Sequence, residues 1–171
     1  SPLFGYRCRE GNSPILPTKN GCFEPPWRRV GGPMYRRRMS TVTINPATPD
    51  RFADAQHALS GGGDGKSCQC QWWTLTNTEF SNSSADQRKD YLEAEITAGP
   101  PPALIAYIDD SPSGWVRVGP RTKQARIART KMITGSSKES FDDESVWAIT
   151  CFVVRREHRG SGTTRALLDA A

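Results

Sequence analysis

The order of apolar and polar residues after residue 40 predicts short strands that alternate with helices. Residues 42–44 form a β-type run, and Thr48 with Pro49 then supplies a helix N-cap and a first helical position. Three apolar residues at helical spacing share one face of this helix: Phe52, Ala55 and Leu59. The glycine-rich run 61–65 ends the helix, because glycine's backbone freedom makes a further turn costly.

A second helix and a hairpin follow. The S-x-x-Q capping box that starts at Ser84 predicts a helix that ends at Gly99, just before three prolines. Residues 103–108 are typical of a buried strand, and residues 115–118 of a second strand. Because residues 109–114 are dense in turn formers, the two strands are expected to pair as a hairpin.

The last third of the chain carries the clearest strand. Residues 146–154 are mostly β-branched or aromatic and apolar on both faces, which predicts a central position in a sheet. A short helix is expected around residues 123–131, in the polar segment before that strand. A final helix is predicted from Thr163 to Ala171, where it stops without a C-terminal cap. The order β-α-α-β-β-β-α predicts the α/β (α+β) fold class.

Charge divides the chain at Met39. Residues 1–38 carry eight Lys and Arg against two Glu, a net charge of +6, and six prolines interrupt them. Residues 39–171 carry 15 basic and 16 acidic residues, a net charge of −1. We therefore expect a disordered basic leader over 1–38 and a folded domain over 39–171. Translation that starts at Met39, or at Met34, is one hypothesis for this boundary, and a basic arm that touches an acidic partner is the other.

Composition argues against several classes of protein. The longest apolar stretch has nine residues, whereas a membrane-spanning helix needs about 20, so no transmembrane segment is predicted. The first residues lack the apolar region of a secretion signal. A domain that reads nucleic acid usually has a basic face in its folded body, and the near-neutral charge of residues 39–171 makes nucleic acid an unexpected partner.

The five cysteines do not indicate a metal site. They form no C-x-x-C pair, and two histidines, His57 and His158, are too few to complete a paired ligand set. No metal is therefore expected. Without a secretion signal, reduced thiols in a cytoplasmic protein are the default expectation.

One segment carries recognisable chemistry, because the strand at 146–154 runs through a small-residue turn into a helix. Glycine lets a ligand approach the backbone, and the first N–H groups of a helix lack internal partners. The helix dipole and Arg159 add positive charge, so the turn predicts an anion site suited to phosphate. The alternative is a tight turn with solvated arginines. Neither G-x-x-x-x-G-K-[ST] nor G-x-G-x-x-G is present, so neither of these nucleotide-binding loops applies.

Residues 159–164, with the sequence RGSGTT, resemble the R/Q-x-x-G-x-G/A pyrophosphate loop of the GNAT superfamily of acyl-CoA N-acyltransferases. The strand AITCFVV, the hairpin IAYIDDSPSGWVRVGPR and the element order match the same family over roughly residues 41–171. The resemblance implies a mixed, mostly antiparallel sheet flanked by helices, with acetyl-CoA as the cosubstrate. It also implies that C-terminal elements are missing, so that residues 39–171 are a partial N-acetyltransferase domain.

The resemblance assigns the coenzyme site to the loop and the strand before it. Arg159 takes the first motif position, and Thr164 stands where Gly or Ala is usual. The implied backbone cradle for the pyrophosphate comprises Gly160, Ser161, Gly162, Thr163 and Thr164. The implied backbone contacts to the pantetheine arm are Cys151, Phe152, Val153 and Val154.

The implied reaction is direct attack of an amine on acetyl-CoA, and an alkyl ammonium must first lose a proton. Three candidate general bases precede the strand: Asp142, Asp143 and Glu144. The alternative is that they form a solvated acidic loop.

Trp72 and Trp73 either form the wall of an acceptor pocket or pack on the sheet. Cys151 is expected to pack rather than to act as a nucleophile, since no histidine is adjacent in sequence.

Three functions stay open. The leading one is an N-acetyltransferase that acts on a small-molecule or peptide amine, without a membrane partner and with a homodimer left open. A catalytically inactive binding or regulatory domain of the same fold, or a non-functional fragment, is favoured by Thr164 and by the missing C-terminal elements. A nucleic-acid binder that acts through residues 1–38 predicts steep salt dependence.

Overall fold

The computed structural model describes residues 41–171, and the predicted leader at 1–38 lies outside the described residues. Four strands form one sheet: β1 (Val42–Pro46), β2 (Ala103–Ile108), β3 (Ser111–Pro120) and β4 (Trp147–Val154). Neighbouring strands are antiparallel and follow the order β1-β2-β3-β4. The predicted α/β fold class is therefore confirmed.

Helices lie on both faces of this sheet. Within residues 41–171 the α-helices are α1 (Phe52–Ser60), α2 (Gly65–Cys68), α3 (Asn77–Asn82), α4 (Ala85–Ala98), α5 (Lys131–Thr134) and α6 (Thr163–Ala170). The capping box at the start of α4 forms as predicted, because the Gln87 N–H donates to Ser84 Oγ at 3.1 Å and the Ser84 N–H donates to Gln87 Oε1 at 2.8 Å. Helix α1 ends directly before the glycine run, also as predicted.

The predicted hairpin of β2 and β3 turns through two residues. Asp109 and Asp110 have φ angles of +49° and +65°. Two left-handed residues in a row match the right-handed twist of a two-residue hairpin, and Asp tolerates this region better than most side chains do. Because the turn is this short, β3 begins at Ser111, four residues before the predicted start.

The core has two layers, one on each face of the sheet. On one face, helices α1 and α4 bury Leu59 and Leu92 in one cluster with Trp115 of β3. On the other face, Leu167 of α6 packs with Val116, the next residue along β3. Successive strand residues face opposite sides of a sheet, so one strand supplies both layers. Strand β3 is therefore the structural centre, and β4 runs beside it.

Strand β4 is an edge of the sheet formed by residues 41–171, so the predicted central position is wrong. Its partner in that sheet is β3 alone. Three of its apolar side chains are 57%, 39% and 40% exposed, namely Trp147, Ile149 and Phe152. Apolar composition reports which faces of a strand are covered, whereas a central position requires backbone pairing along both edges. Covering of the faces and pairing along the edges are independent, so the apolar pattern of β4 did not predict its position in the sheet.

Strand β4 also contains a β-bulge. Arg117 of β3 pairs with Cys151, but the next residue, Val118, pairs with Ile149, so Thr150 has no partner across the ladder. A bulge leaves backbone groups outside the ladder and increases the local twist. The Thr150 hydroxyl donates a hydrogen bond to Oε1 of Gln124, a buried residue that is not part of the sheet.

The prediction of one short helix around residues 123–131 is wrong. Two 3-10 turns, Arg121–Lys123 and Ile127–Arg129, precede the short helix α5 instead. Between them, the Gln124 side chain donates to the Ala148 carbonyl oxygen of β4 at 3.1 Å. That tertiary contact draws the chain toward the sheet and overrides local helix propensity.

Candidate functional site

The loop that follows β4 is fixed at its start by Arg155. Its backbone N–H donates to the Ser113 carbonyl oxygen of β3 at 3.0 Å, and its guanidinium donates to the His57 carbonyl oxygen of α1 at 2.5 Å. The next N–H, of Arg156, donates to the Gly61 carbonyl oxygen at 3.0 Å. These bonds hold the end of β4 against the end of α1 and position the residues that follow.

The two glycines of the motif have left-handed backbones. Gly160 has a φ of +76° and Gly162 a φ of +88°. No atom lies within 4 Å of a Cβ built at either residue, so conformation rather than crowding selects glycine. Gly162 is the N-cap of α6, and the first helical bond runs from the Ala166 N–H to its carbonyl oxygen at 3.0 Å. The N–H groups of residues 163–165 are therefore free of intrahelical partners.

Thr163 and Ser161 stabilise the loop from within. Thr163 is buried, and its Oγ1 lies 2.7 Å from Ser161 Oγ, which donates to the His158 carbonyl oxygen at 2.6 Å. A Cβ added to Gly114 of β3 would lie 2.9 Å from Thr163 Cγ2, so the threonine sits directly on the sheet. Of the two threonines in the motif, Thr164 is the one that exposes its side chain.

A cleft of about 550 Å³ opens between the end of β4 and the start of α6. The predicted coenzyme-site residues that line it are Phe152, Val154, Arg159, Gly160, Gly162, Thr163 and Thr164. The Arg159 side chain is exposed and forms no salt bridge with another residue of the described part of the chain. Its charge, the helix dipole and the free N–H groups together favour an anion here.

A second groove, of about 220 Å³, borders the same end of β4. Phe152, Val154 and Arg159 line both cavities, and Cys151 and Val153 line this groove alone. The glycine run after α1 forms the other wall. A Cβ added to Gly62 would lie 2.8 Å from the Val154 carbonyl oxygen, so glycine permits this close approach. Of the residues predicted for the coenzyme, Ser161 is the one that lines neither cavity.

A third cleft, of about 370 Å³ and mostly apolar, lies between α4 and the start of β4. Tyr91 and Glu95 of α4 line it together with Arg117 of β3 and Trp147 of β4. The Arg117 side chain is 2% exposed, and its guanidinium is paired with the carboxylate of Glu95, whose side chain is 30% exposed. Neither residue was predicted from the sequence. The available signal was one arginine inside the apolar strand WVRV, because a buried arginine requires a partner.

The three acidic residues predicted as bases lie on an exposed turn before β4, outside all three of these cavities. Asp143 accepts from Ser145 Oγ at 2.6 Å and from the Ser145 N–H at 2.9 Å. These bonds hold the pKa of the Asp143 carboxyl below its usual value, which makes it a weaker base. Asp142 and Glu144 form no side-chain hydrogen bond within residues 41–171, so the predicted alternative of a solvated acidic loop matches their surroundings.

Trp72 and Trp73 line a separate cleft of about 580 Å³. The Arg126 guanidinium lies 3.7 Å from the centre of the Trp72 ring, and the Phe80 ring meets that indole edge-on at 5.0 Å. A cation of the same chain thus already covers one face of Trp72. The indole packs on Phe80 and Arg126 and is 42% exposed, so it is not part of the core on the sheet.

A family model described as "Acetyltransferase (GNAT) family" matches residues 70–171, which is more than half of the chain. The chain belongs to the GNAT family. The matched residues of this GNAT domain include all of β2, β3, β4 and α6, and therefore the cleft at the start of α6. The resemblance inferred from the motif at residues 159–164 is thus confirmed.

Three solved structures of GNAT proteins match this chain at low sequence identity. The loading GNATL domain of CurA from Lyngbya majuscula is 11% identical with a TM-score of 0.45, and the match covers 76% of this chain and 56% of that one. A GCN5-related N-acetyltransferase from Ralstonia eutropha JMP134 is 12% identical with a TM-score of 0.43, covering 76% and 72%. A GNAT acetyltransferase from Streptococcus pneumoniae is 12% identical with a TM-score of 0.40, covering 76% and 64%. The chain thus spans less than two thirds of the first and third of these structures.

No curated protein matches this GNAT sequence significantly. Among residues 41–171, no helix has both the length and the apolar character needed to cross a membrane. The same residues contain no group of three or more His, Cys, Asp or Glu side chains arranged to hold a metal ion.

Proposed function

We propose that this GNAT domain transfers an acetyl group from acetyl-CoA to an amine by direct attack. The observation that carries the proposal is the cleft at the start of α6, where Gly160, Gly162, Arg159 and unpaired helix N–H groups surround one space. A diphosphate suits this arrangement, because its oxygens accept several hydrogen bonds at once and its charge opposes the dipole and the guanidinium.

The edge of β4 suits an amide-bearing chain such as pantetheine. The outer N–H and C=O groups of this strand have no ladder partner within residues 41–171. A free strand edge binds the amides of an extended ligand in the same way as it binds another strand. Phe152 and Val154 add an apolar wall beside that edge. Acetyl-CoA, when bound, supplies the activated thioester at the end of its pantetheine arm.

The bulge at Thr150 is our candidate for the group that stabilises the reacting oxygen. Its extra residue leaves a backbone N–H outside the β3–β4 ladder, adjacent to Cys151, where the predicted pantetheine contacts begin. A fixed N–H donor aimed at a developing oxyanion lowers the barrier of acyl transfer, because the donor needs no reorganisation during the reaction.

The acceptor amine is assigned to the cleft beside the start of β4. Tyr91 and Trp147 provide aromatic surface there for an apolar or cationic amine, either a small molecule or a peptide. Glu95 is the carboxylate that lines this cleft, so it joins Asp142, Asp143 and Glu144 as a candidate for taking the ammonium proton.

Removal of the Arg159 charge tests the coenzyme site. Arg159→Ala should raise the dissociation constant for coenzyme A by about 10- to 100-fold, because a charge-assisted phosphate contact contributes roughly 1.5–3 kcal/mol. Isothermal titration calorimetry measures the change. Arg156→Ala is the matched control, since Arg156 is exposed and lies outside the cleft. Equal affinity of the parent and Arg159→Ala would place the pyrophosphate elsewhere.

A binding assay and a turnover assay separate the enzyme from a catalytically inactive member of the same fold. Saturable binding of acetyl-CoA together with amine-dependent release of coenzyme A thiol supports the enzyme. Binding without release for a panel of small and peptide amines supports an inactive binding domain, which is the function that the departure at Thr164 favours.

Thr164 tests how the loop accommodates its unusual residue. Its side chain is exposed at the cleft and forms no hydrogen bond within the described residues, so the loop is expected to tolerate threonine without using its hydroxyl. Thr164→Ala should therefore bind coenzyme A at least as tightly as the parent. A loss of about 1–3 kcal/mol in calorimetry would instead show that the hydroxyl donates to a phosphate oxygen.

A further inference from the structure

Two cysteines that are distant in sequence meet at the floor of the groove beside β4. Cys70 Sγ lies 2.8 Å from Cys151 Sγ, although 81 positions separate them in sequence. Cys70 is 1% exposed and has a left-handed backbone between α2 and the 3-10 turn Gln71–Trp73. Cys151 lies on β4, beside the bulge, and is half-buried. The two thiols therefore join separate parts of the fold at one point.

A buried positive charge stands next to this pair. Arg117 is the cross-strand partner of Cys151, and its Nε and Nη1 are buried without a hydrogen-bond partner. The Cys70 thiol donates to Cys151 and, with the nearby guanidinium, holds the pKa of Cys151 below its usual value. The same bond, together with burial, raises the pKa of Cys70. Cys151 is also the less buried of the two thiols and is paired with Arg117 across the strands, so we expect it to ionise first.

The groove gives small reagents access to the sulfur that is ready to react. It is bordered by Cys70, Cys151 and a third cysteine, Cys68. Because Cys151 is the less buried member of the pair, we expect it to meet an incoming reagent first, with the Cys70 sulfur 2.8 Å away. This is the arrangement of an attacking thiol and a resolving thiol.

We propose that Cys70 and Cys151 form a reversible redox pair, a modification site oxidised by low-molecular-weight disulfides. The Cys151 thiolate attacks one sulfur of the small disulfide, a mixed disulfide forms, and one small thiolate leaves. Cys70 then gives up its proton and attacks the Cys151 sulfur, and the second small thiolate leaves. Two protein thiols are oxidised to one disulfide, and the small disulfide is reduced to two thiols.

The product would link the segment before α3 to strand β4 across the groove. The sulfur atoms are already in contact, so the bond needs little backbone movement. The bond would lie directly beside the strand to which we assign the pantetheine arm, so oxidation state and groove occupancy should influence each other.

The test uses the full 171-residue chain and the small neutral reagent 2-hydroxyethyl disulfide. After incubation, remaining thiols are alkylated, and the unreduced protein is digested with trypsin and analysed by mass spectrometry. We expect a cross-link between peptide 67–88, which holds Cys68 and Cys70, and peptide 139–155, which holds Cys151. Dithiothreitol should remove it.

Variants in which one cysteine at a time is replaced show which sulfur of peptide 67–88 forms the cross-link. Cys68→Ser leaves both proposed partners in place and should cross-link as fully as the parent, whereas Cys70→Ala should stop at a mixed disulfide on Cys151. Absence of the cross-link in Cys68→Ser, or its persistence in Cys70→Ala, would overturn the proposal. The parent and Cys68→Ser alone suffice for this decision if the buried Cys70→Ala variant fails to fold.

Saturating acetyl-CoA in the same reaction provides a separate comparison that rests on the proposed function. If the pantetheine arm covers Cys151, cross-linking should slow. Cross-linking at an unchanged rate would uphold the redox pair and count against the assigned path of the coenzyme along β4.

Discussion

Replacing Glu95 with leucine is expected to lower the free energy of unfolding by about 3–5 kcal/mol, because it leaves a buried charge without compensation. The Arg117 side chain is 2% exposed, and Glu95 is its salt-bridge partner within residues 41–171. Two of its nitrogens already lack hydrogen-bond partners, so loss of the carboxylate would leave the whole group unsatisfied. Urea unfolding of the full chain, monitored by circular dichroism, measures the change.

Substitution of the other partner, Arg117→Met, should lower the free energy of unfolding by less than Glu95→Leu does. After Arg117→Met, the Glu95 carboxylate retains the 30% exposure of its side chain, so water can solvate it. The double variant Glu95→Leu with Arg117→Met should be more stable than Glu95→Leu alone, since no buried charge remains unpaired. Additive losses in the double variant would contradict a direct interaction between the two side chains.

Gly162→Val should weaken coenzyme A binding by more than about 100-fold, beyond the loss expected for Arg159→Ala. Residue 162 has a φ of +88°, which a β-branched residue strongly disfavours. The new side chain would also enter open space at the cleft, where a phosphate must pass to reach the helix N–H groups. Calorimetry with coenzyme A, on protein whose fold is verified by circular dichroism, measures the loss.

The control for that variant is Gly99→Val. Gly99 has a φ of +62°, ends α4, and likewise has no atom within 4 Å of an added Cβ. Its ψ is 170°, a backbone region that is essentially restricted to glycine, so valine at residue 99 is at least as strained as valine at residue 162 and lies far from residues 159–164 in sequence. Coenzyme A affinity should be unchanged in Gly99→Val. Normal binding by Gly162→Val itself would show that the motif alignment is wrong by at least one position.

The parts of the site that could be predicted from the sequence are those encoded by contiguous residues. The strand, the turn at residues 155–162 and helix α6 follow one another directly, so spacing alone shows that glycines and Arg159 precede a helix N-terminus. The capping box at Ser84 and the hairpin turn at residues 109–110 are local in the same sense. Each depends on the dihedral preferences of a few neighbours.

The parts that were missed depend on pairing between distant segments. Glu95 and Arg117 are 22 positions apart, and only the packing of α4 on the sheet brings them together. The bulge at Thr150 is a property of the register between β3 and β4, which the composition of β4 alone does not determine. Helices α2 and α3, with four and six residues, are too short to show a helical period.

Arg155 has a consequence for the entropy of ligand binding. Its bonds to Ser113 and His57 fix the loop during folding, and the bond from Ser161 to His158 closes the loop on itself. Ordering of the backbone, at about 1–2 kcal/mol per residue, is therefore completed before any ligand arrives. For the coenzyme that we propose, a loop ordered in this way would leave most of the free energy of each new hydrogen bond available as affinity.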